Sequence, residues 1–563
     1  MKNILLLACI LPAFLITAQN PTLAWTHRLG STNADQGNAI VADAAGNVYT
    51  TGYFNGTVDF DPGAGTSNLT SAGSNDVFIS KLDASGNFVW GLKVGGTGAD
   101  AGNGIVLDAA GNIYVTGSFN GTADFDPGAS TSNLVSFGMS DIFVLKLNAS
   151  GTLVWAKQMG GTSGEEGRSI ALDATGNVFT TGFFNGTADF DPGAGTSNLI
   201  SGGSLQIFVS KLDNSGNFGW AKHLGGPGNN IGYSIATDAS GNVYTSGHFS
   251  MTVDFDPGAG IQNFISAGAG DVFVSKLDAS GNFVWAKQMG NTANDVSTCI
   301  AIDASGYVYT SGYFFDTVDF DPGAGISNLT TNGVGDIFVS KLDSSGNFVW
   351  ARNMGSTLDD FTHALALDSA GGVYTTGFYA GSADFDPGAG TYYLHSYFPA
   401  DSSLIRDQIF VSKLDSSGTF AWAVQLGGVK GYGIAATSSY VYSTGFFTAT
   451  ADFDPTATVF NLTTAGSDDV YVHKLNQSSL GTNESYSTSF ELYPNPATDN
   501  FTIRTNTVAD EILITDLLGN EVMNLQPVSA ETTVNMGNCA NGVYLVKVIS
   551  GNSQSVSRLV LSK

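Results

Sequence analysis

Cysteine is almost missing from this chain. Three occur in 563 residues, and Cys9 lies in the N-terminal leader, so only Cys299 and Cys539 remain, in different domains. No disulfide framework is indicated. Positive charge is scarce as well: 21 Lys and Arg stand against 49 Asp and Glu, a formal net charge of −28. Such a chain lacks the basic patches that phosphate backbones require, which argues against nucleic acid as a partner. The balance suits cations, basic partners or plain solubility. Before Glu484 the only glutamates are Glu165 and Glu166, so the acidity is almost wholly aspartate. Beyond the leader no apolar run is long enough to span a membrane. No nucleophile elbow, phosphate loop or C-x-x-C is present. The six histidines (His27, His223, His248, His363, His395 and His473) occupy unrelated positions and form no repeated metal set.

What is abundant is a repeat. D-F-D-P is written seven times, starting at Asp59, Asp124, Asp189, Asp254, Asp319, Asp384 and Asp452, with a spacing of 65 residues five times and then 68. All seven tryptophans (Trp25, Trp90, Trp155, Trp220, Trp285, Trp350 and Trp422) fall once per repeat. A fixed period of this size means one supersecondary unit stacked repeatedly. In the unit from residue 90, short alternating runs predict strands at Ile105–Asp108, Ile113–Gly117, Ile142–Leu147 and from Leu153 through Trp155. D-A-A-G-N and D-A-S-G-N link them pairwise as tight hairpins, Asp opening the turn and Gly supplying positive φ.

Four strands repeated seven times predict an all-β fold, a seven-bladed β-propeller over residues 19–476. The first unit begins on a lone fourth strand at Trp25, and the last stops after three strands. The N-terminal strand is therefore expected to complete the last blade and remove its open edge. Residues 1–18 read as a secretory signal peptide, with Lys2 before an apolar run that ends at Ala18. Residues 477–489 read as a polar linker, and residues 490–563 as a small Ig-like β-sandwich.

W-A-K-Q-M-G-G-T, S-I-A-L-D-A-T-G-N-V-F-T-T-G and I-F-V-S-K-L-D resemble the repeat of bacterial seven-bladed propeller proteins, a likeness that covers about 450 residues and carries little about function. The D-x-x-G-N-x-x-W turn is similar to the Asp box of sialidase propellers, one residue different on each side of the Gly. At the C-terminus, Y-P-N-P, N-G-V-Y-L-V-K-V and L-V-L-S-K resemble the sorting domain of the type IX secretion system. That resemblance implies the secretion machinery as a partner and an extracellular or outer-surface location after export to the periplasm, with the domain removed outside the cell and the passenger released or attached to surface glycolipid.

Three sets of residues are candidates for chemistry, all expected on the loop-rich face. The paired carboxylates of D-F-D-P (Asp59 and Asp61, Asp124 and Asp126, Asp189 and Asp191, Asp254 and Asp256, Asp319 and Asp321, Asp384 and Asp386, Asp452 and Asp454) could converge on Ca²⁺, or could cap backbone amides in a turn while Phe packs inward. Ten residues after each of the first six Trp stand Asp35, Asp100, Glu165, Asn230, Asp295 and Asp360, and the shortened last unit has no equivalent. They are expected either to ring the channel mouth as an anionic collar or to tie down their own loops. Aromatic pairs that close strand two, such as Tyr53-Phe54 and Tyr313-Phe314, could stack on sugars or pack between blades. The leading expectation is a non-catalytic module that binds glycan or protein. The alternative is a polysaccharide-active hydrolase or lyase, sought near the insert Thr391–Gln408 and the short Gly427–Gly433 loop, where the repeats deviate.

Overall fold

The computed structural model describes residues 20–202, 204–396, 407–477, 490–505, 508–516, 521–550 and 553–563. The leader, residues 478–489 of the linker and residues 397–406 of the insert lie outside them. All regular structure among the described residues is β-strand. The chain divides into two compact units, Met1–Ser479 and Leu480–Lys563.

The first unit is a propeller of seven four-stranded antiparallel blades. Blade one consists of Gln36–Ala42, Val48–Phe54, Asp76–Leu82 and Phe88–Gly96, in that order from the channel outward. The first strands of successive blades touch all the way round, and Lys430–Ala436 of blade seven meets Gln36–Ala42 of blade one. The ring is closed. The N-terminal strand Thr22–Leu29 supplies the fourth strand of blade seven, pairing with Asn461–Asn476 from Thr22 opposite Asn476 to Leu29 opposite Val470.

Sequence dictates these strands through alternation and turns. Asp43 Oδ1 accepts the N–H groups of Ala45 and Asn47, both at 2.9 Å, and Gly46 takes the positive φ of 83° that closes the hairpin. The core lies between blades rather than within them: Tyr442, Val470 and Val472 of blade seven pack with Ile40, Phe54 and Phe78 of blade one.

Neighbouring blades are also latched by polar groups. Trp25 Nε1 and Lys474 Nζ both donate to the Ala84 carbonyl of the next blade, at 3.3 and 2.7 Å. Trp285 and Lys276 treat Ser344 the same way, at 3.2 and 3.3 Å. Blade seven has no such turn to offer, and Gln477 replaces it. Its Oε1 accepts from Tyr374 OH at 2.7 Å and Lys413 Nζ at 3.1 Å.

One expectation needs correction. Strand one of the second blade begins at Ala101, strand two runs on to Asp124, and strand three starts at Asn133. The D-F-D-P connection is thus a β-hairpin in its own right, with Asp124 opposite Asn133. Its arms, such as Thr57–Asp59 and Asn68–Thr70, are only three residues long, each with one inward apolar residue, too short an alternation to read as strand.

The second unit packs Glu491–Tyr493, Asn500–Arg504 and Glu531–Asn535 as one sheet and Glu511–Asp516, Glu521–Leu525, Gly542–Ser550 and Ser553–Leu561 as another. Phe501, Ile503, Ile512, Val546 and Leu559 fill its core, which makes it a β-sandwich.

Candidate functional site

The D-F-D-P carboxylates are placed at hairpin tips. Asp59 Oδ1 accepts from the N–H groups of Asp61 at 3.1 Å and Ser67 at 2.8 Å, and Asp61 Oδ1 accepts from Gly63 at 2.8 Å. The pattern recurs at Asp124, Asp189, Asp254, Asp319, Asp384 and Asp452, whose Oδ1 atoms accept from Asp126, Asp191, Asp256, Asp321, Asp386 and Asp454 respectively. Phe60 is buried, edge-on to Phe54 at 5.4 Å. The first Asp also fixes the blade before it, since Gly95 and Gly160 pair with Asp124 and Asp189 of the next hairpin. Calcium takes about six to eight oxygens. An ion here would have to use the second carboxylate oxygens, turn carbonyls and water. Among the described residues no three His, Cys, Asp or Glu side chains gather in a way that could hold a metal.

The five acids and Asn230 that stand ten residues after the first six Trp are fully buried. Asp35 accepts from Ser31 N–H at 2.6 Å and Asn55 N–H at 2.8 Å, which ties the blade-to-blade loop to the end of strand two. Asp100, Asp295 and Asp360 repeat this with Gly96 and Asn120, Asn291 and Phe315, and Ser356 and Ala380. Glu165 takes Gly161 N–H, and Asn230 Oδ1 takes Ser250 N–H. Burial pushes Asp35, Asp100 and Asp295 up to about 6, and Glu165 and Asp360 to about 7. Each has a second buried acid beside it that raises it further: Asp469 beside Asp35, Asp76 beside Asp100, Asp271 beside Asp295, Asp141 beside Glu165 and Asp336 beside Asp360. One oxygen of each of these second acids has no hydrogen-bond partner. At the remaining such junction amides stand in both places, and Asn230 Nδ2 donates to Gln206 Oε1 at 3.1 Å. The arrangement is that of loop ties buried under the mouth.

The residues that do face the channel lie one and three places further on. In every blade strand one carries a register shift, between Gly37 and Ala39 in blade one and between Gly232 and Ser234 in blade four. A bulge of this kind leaves one residue unpaired and re-aims its side chain. The bulged residues are Asn38, Asn103, Arg168, Tyr233, Thr298, His363 and Tyr432. All seven line one cavity of about 510 Å³. Gln36, Glu166, Tyr53 and Tyr313 line it too. Of the aromatic pairs, then, the first member can face the channel while the second, such as Phe54 or Phe314, is buried between blades.

The sequence signal for these positions was available and lay in contrast. Two residues past each bulge stand Ile40, Ile105, Ile170, Ile235, Ile300, Leu365 and Ile434, nearly constant, whereas the bulge itself is Asn, Asn, Arg, Tyr, Thr, His and Tyr. A larger cavity, about 1060 Å³, lies between the sixth D-F-D-P hairpin and blade seven, with Asp407, Gln408, Asp452 and Asp454 on its wall. Burial raises the Asp407 carboxyl.

Comparison with known proteins agrees with this architecture. Residues 24–58, 89–126 and 219–248 match the family described as Beta-propeller repeat. Residues 491–562 match the Secretion system C-terminal sorting domain. The chain is a β-propeller repeat protein that ends in a type IX sorting domain. Similar curated proteins include the WD repeat-containing protein L264 of Acanthamoeba polyphaga mimivirus, 23% identical over 72% of this chain and 34% of that one. The regulatory protein FlaEY of Caulobacter vibrioides is 26% identical over 32% of this chain and 19% of its own length. This chain therefore spans about a third of the first relative and about a fifth of the second. Among solved structures, PorZ, a bacterial surface component of the type-IX secretion system of Porphyromonas gingivalis, aligns over 96% of this chain and 100% of that one, at 13% identity and a TM-score of 0.15. Among the described residues no helix is long and apolar enough to cross a membrane.

Proposed function

We propose that this protein is an exported, non-catalytic binding module for extracellular glycan or protein, with its ligand seat in the central channel. The observation that carries the reading is the divergence at the seven bulges beside a nearly constant core position two residues away. A scaffold that varies what it presents to one cavity while holding the neighbouring core position nearly constant is suited to complement something asymmetric. Residues 1–18 would take it to the periplasm, and the type IX machinery, acting on residues 491–562, would take it outside, to be displayed or released.

One observation favours a second reading, a polysaccharide hydrolase or lyase. The cavity beside Asp407 sits where the repeats deviate, and a raised carboxyl is what a general acid needs. A glycan array run beside a reducing-end assay separates the two. Retention without sugar release supports binding. Release that is abolished by Asp407→Asn overturns it.

A further inference from the structure

The channel wall has two halves of different chemistry. On one side a hydrogen-bonded chain crosses three blades. Tyr53 OH donates to Gln36 Oε1 at 3.1 Å, Gln36 Nε2 to Asn38 Oδ1 at 2.7 Å, and Asn38 Nδ2 to Asn103 Oδ1 at 3.2 Å. Asn103 Nδ2 donates to Glu166 Oε1 at 3.1 Å, and Arg168 pairs with the same oxygen at 3.4 Å. The chain fixes which way each amide points, and it neutralises its one carboxylate with its one guanidinium. On the other side are rings. Tyr313 stacks on Phe361 at 4.0 Å, His363 lies 4.7 Å from Tyr432, and Tyr233 lies 5.0 Å beneath the Arg168 guanidinium.

Three nitrogens near this wall are buried without a partner: Arg168 Nε, His248 Nδ1 and His363 Nε2. Burial lowers His248 to about 4 and His363 to about 3, so both are neutral at physiological pH. Among the residues that line the cavity the one carboxylate and the one guanidinium offset each other, and pre-oriented amides face aromatic plates; Lys430 stands close enough to His363 to lower it. A pyranose ring answers both the amides and the rings. Its C–H face packs on aromatic rings and its hydroxyls both donate and accept. A volume of about 510 Å³ falls within the size range of small-ligand pockets and has room for about one or two such rings.

We propose that the channel seats the end of a neutral saccharide chain, its ring against Tyr233 and Tyr313 and its hydroxyls on Asn38, Asn103 and Glu166. This deepens the binding reading above and rests on it. The test is calorimetric titration of the full chain with three probes: cellotriose, maltotriose and tri-N-acetylchitotriose. At least one is expected to bind. Tyr233→Ala is expected to weaken it tenfold or more, and Thr298→Trp, which fills the channel without removing a ring, is expected to abolish it while the melting temperature holds. If Tyr233→Ala does not fold, Thr298→Trp alone decides. If no probe binds, or if Thr298→Trp binds as the wild type does, the channel inference falls. Should glycan-array or protein binding persist in that case, the broader binding reading survives. Release of glucose or N-acetylglucosamine from a probe would overturn both.

Discussion

Gly290 lies five residues after Trp285, and glycine holds that place in all seven repeats. A Cβ there would sit 2.5 Å from Asp271 Cγ, so the absent side chain is what lets the buried carboxylate approach the backbone. Gly290→Ala is expected to cost about 1–3 kcal/mol, read as a lowered melting temperature, because the short, buried Asp271 cannot swing away. The acid pairs themselves make stability pH-dependent. Burial raises Asp35, Asp100, Glu165, Asp295 and Asp360 in the folded chain to about 6 or 7, above their ordinary 3.8 or 4.5. The folded state then binds protons more tightly than the unfolded one. Their contribution is complete below the ordinary carboxylate range and is lost as pH rises through 6 and 7. Cations face two of the pairs, Arg28 at Asp469 and Lys93 at Asp76, and soften the effect there. The hairpin-turn acids Asp83, Asp108 and Asp173 are lowered by their turns and act in the opposite sense, losing stability as pH falls below their ordinary value. The melting temperature is therefore expected to peak near pH 5 and to be lower at pH 8. Replacing Asp271 and Asp295 together by Gln and Asn copies the Gln206–Asn230 junction and is expected to recover part of the loss at pH 8. A flat profile between pH 5 and 8 would show that the pairs carry no proton.

The D-F-D-P hairpin shows what a sequence discloses and what it hides. Its count and its turn chemistry were legible, because Asp, Pro and Gly recur at fixed places. Its pairing was not, because each short arm offers a single inward apolar residue, such as Val58 opposite Leu69, between polar neighbours. Strand one hid its channel-facing residues as well. A bulge is invisible to period-two alternation, so Asp35 and its equivalents stood out, as collar or as loop ties, whereas Asn38 and its equivalents line the channel cavity. The hairpin's own N–H groups already occupy the inward carboxylate oxygens of Asp59 and Asp61. Melting curves in calcium and in chelator are accordingly expected to coincide, and a rise of several degrees in calcium would show a bound cation. Asp59→Ala, which strands the Asp61 and Ser67 N–H groups, is expected to cost about 1–3 kcal/mol by the same measurement.

Closure of the ring depends on one strand contributed from the far end of the chain. Thr22–Leu29 covers the edge of Asn461–Asn476, and Trp25 latches blade seven to blade one. Removing residues 19–30 is expected to open or unfold the propeller, seen as loss of the cooperative melt; an unchanged melt would mean that the seventh blade stands on three strands. Both termini of the ring were legible, since the repeat begins and stops out of phase. What the ring encloses was not, because a wall assembled from seven blades exists only once they are closed. The binding proposal rests on that wall. Its most direct test is a full chain in which Asn38, Arg168, Tyr233, His363 and Tyr432 are all changed to Ser, compared with the wild type on glycan and protein arrays. Binding should disappear while the melt remains cooperative. An unchanged array profile would place the ligand elsewhere and contradict the reading of the channel as the seat.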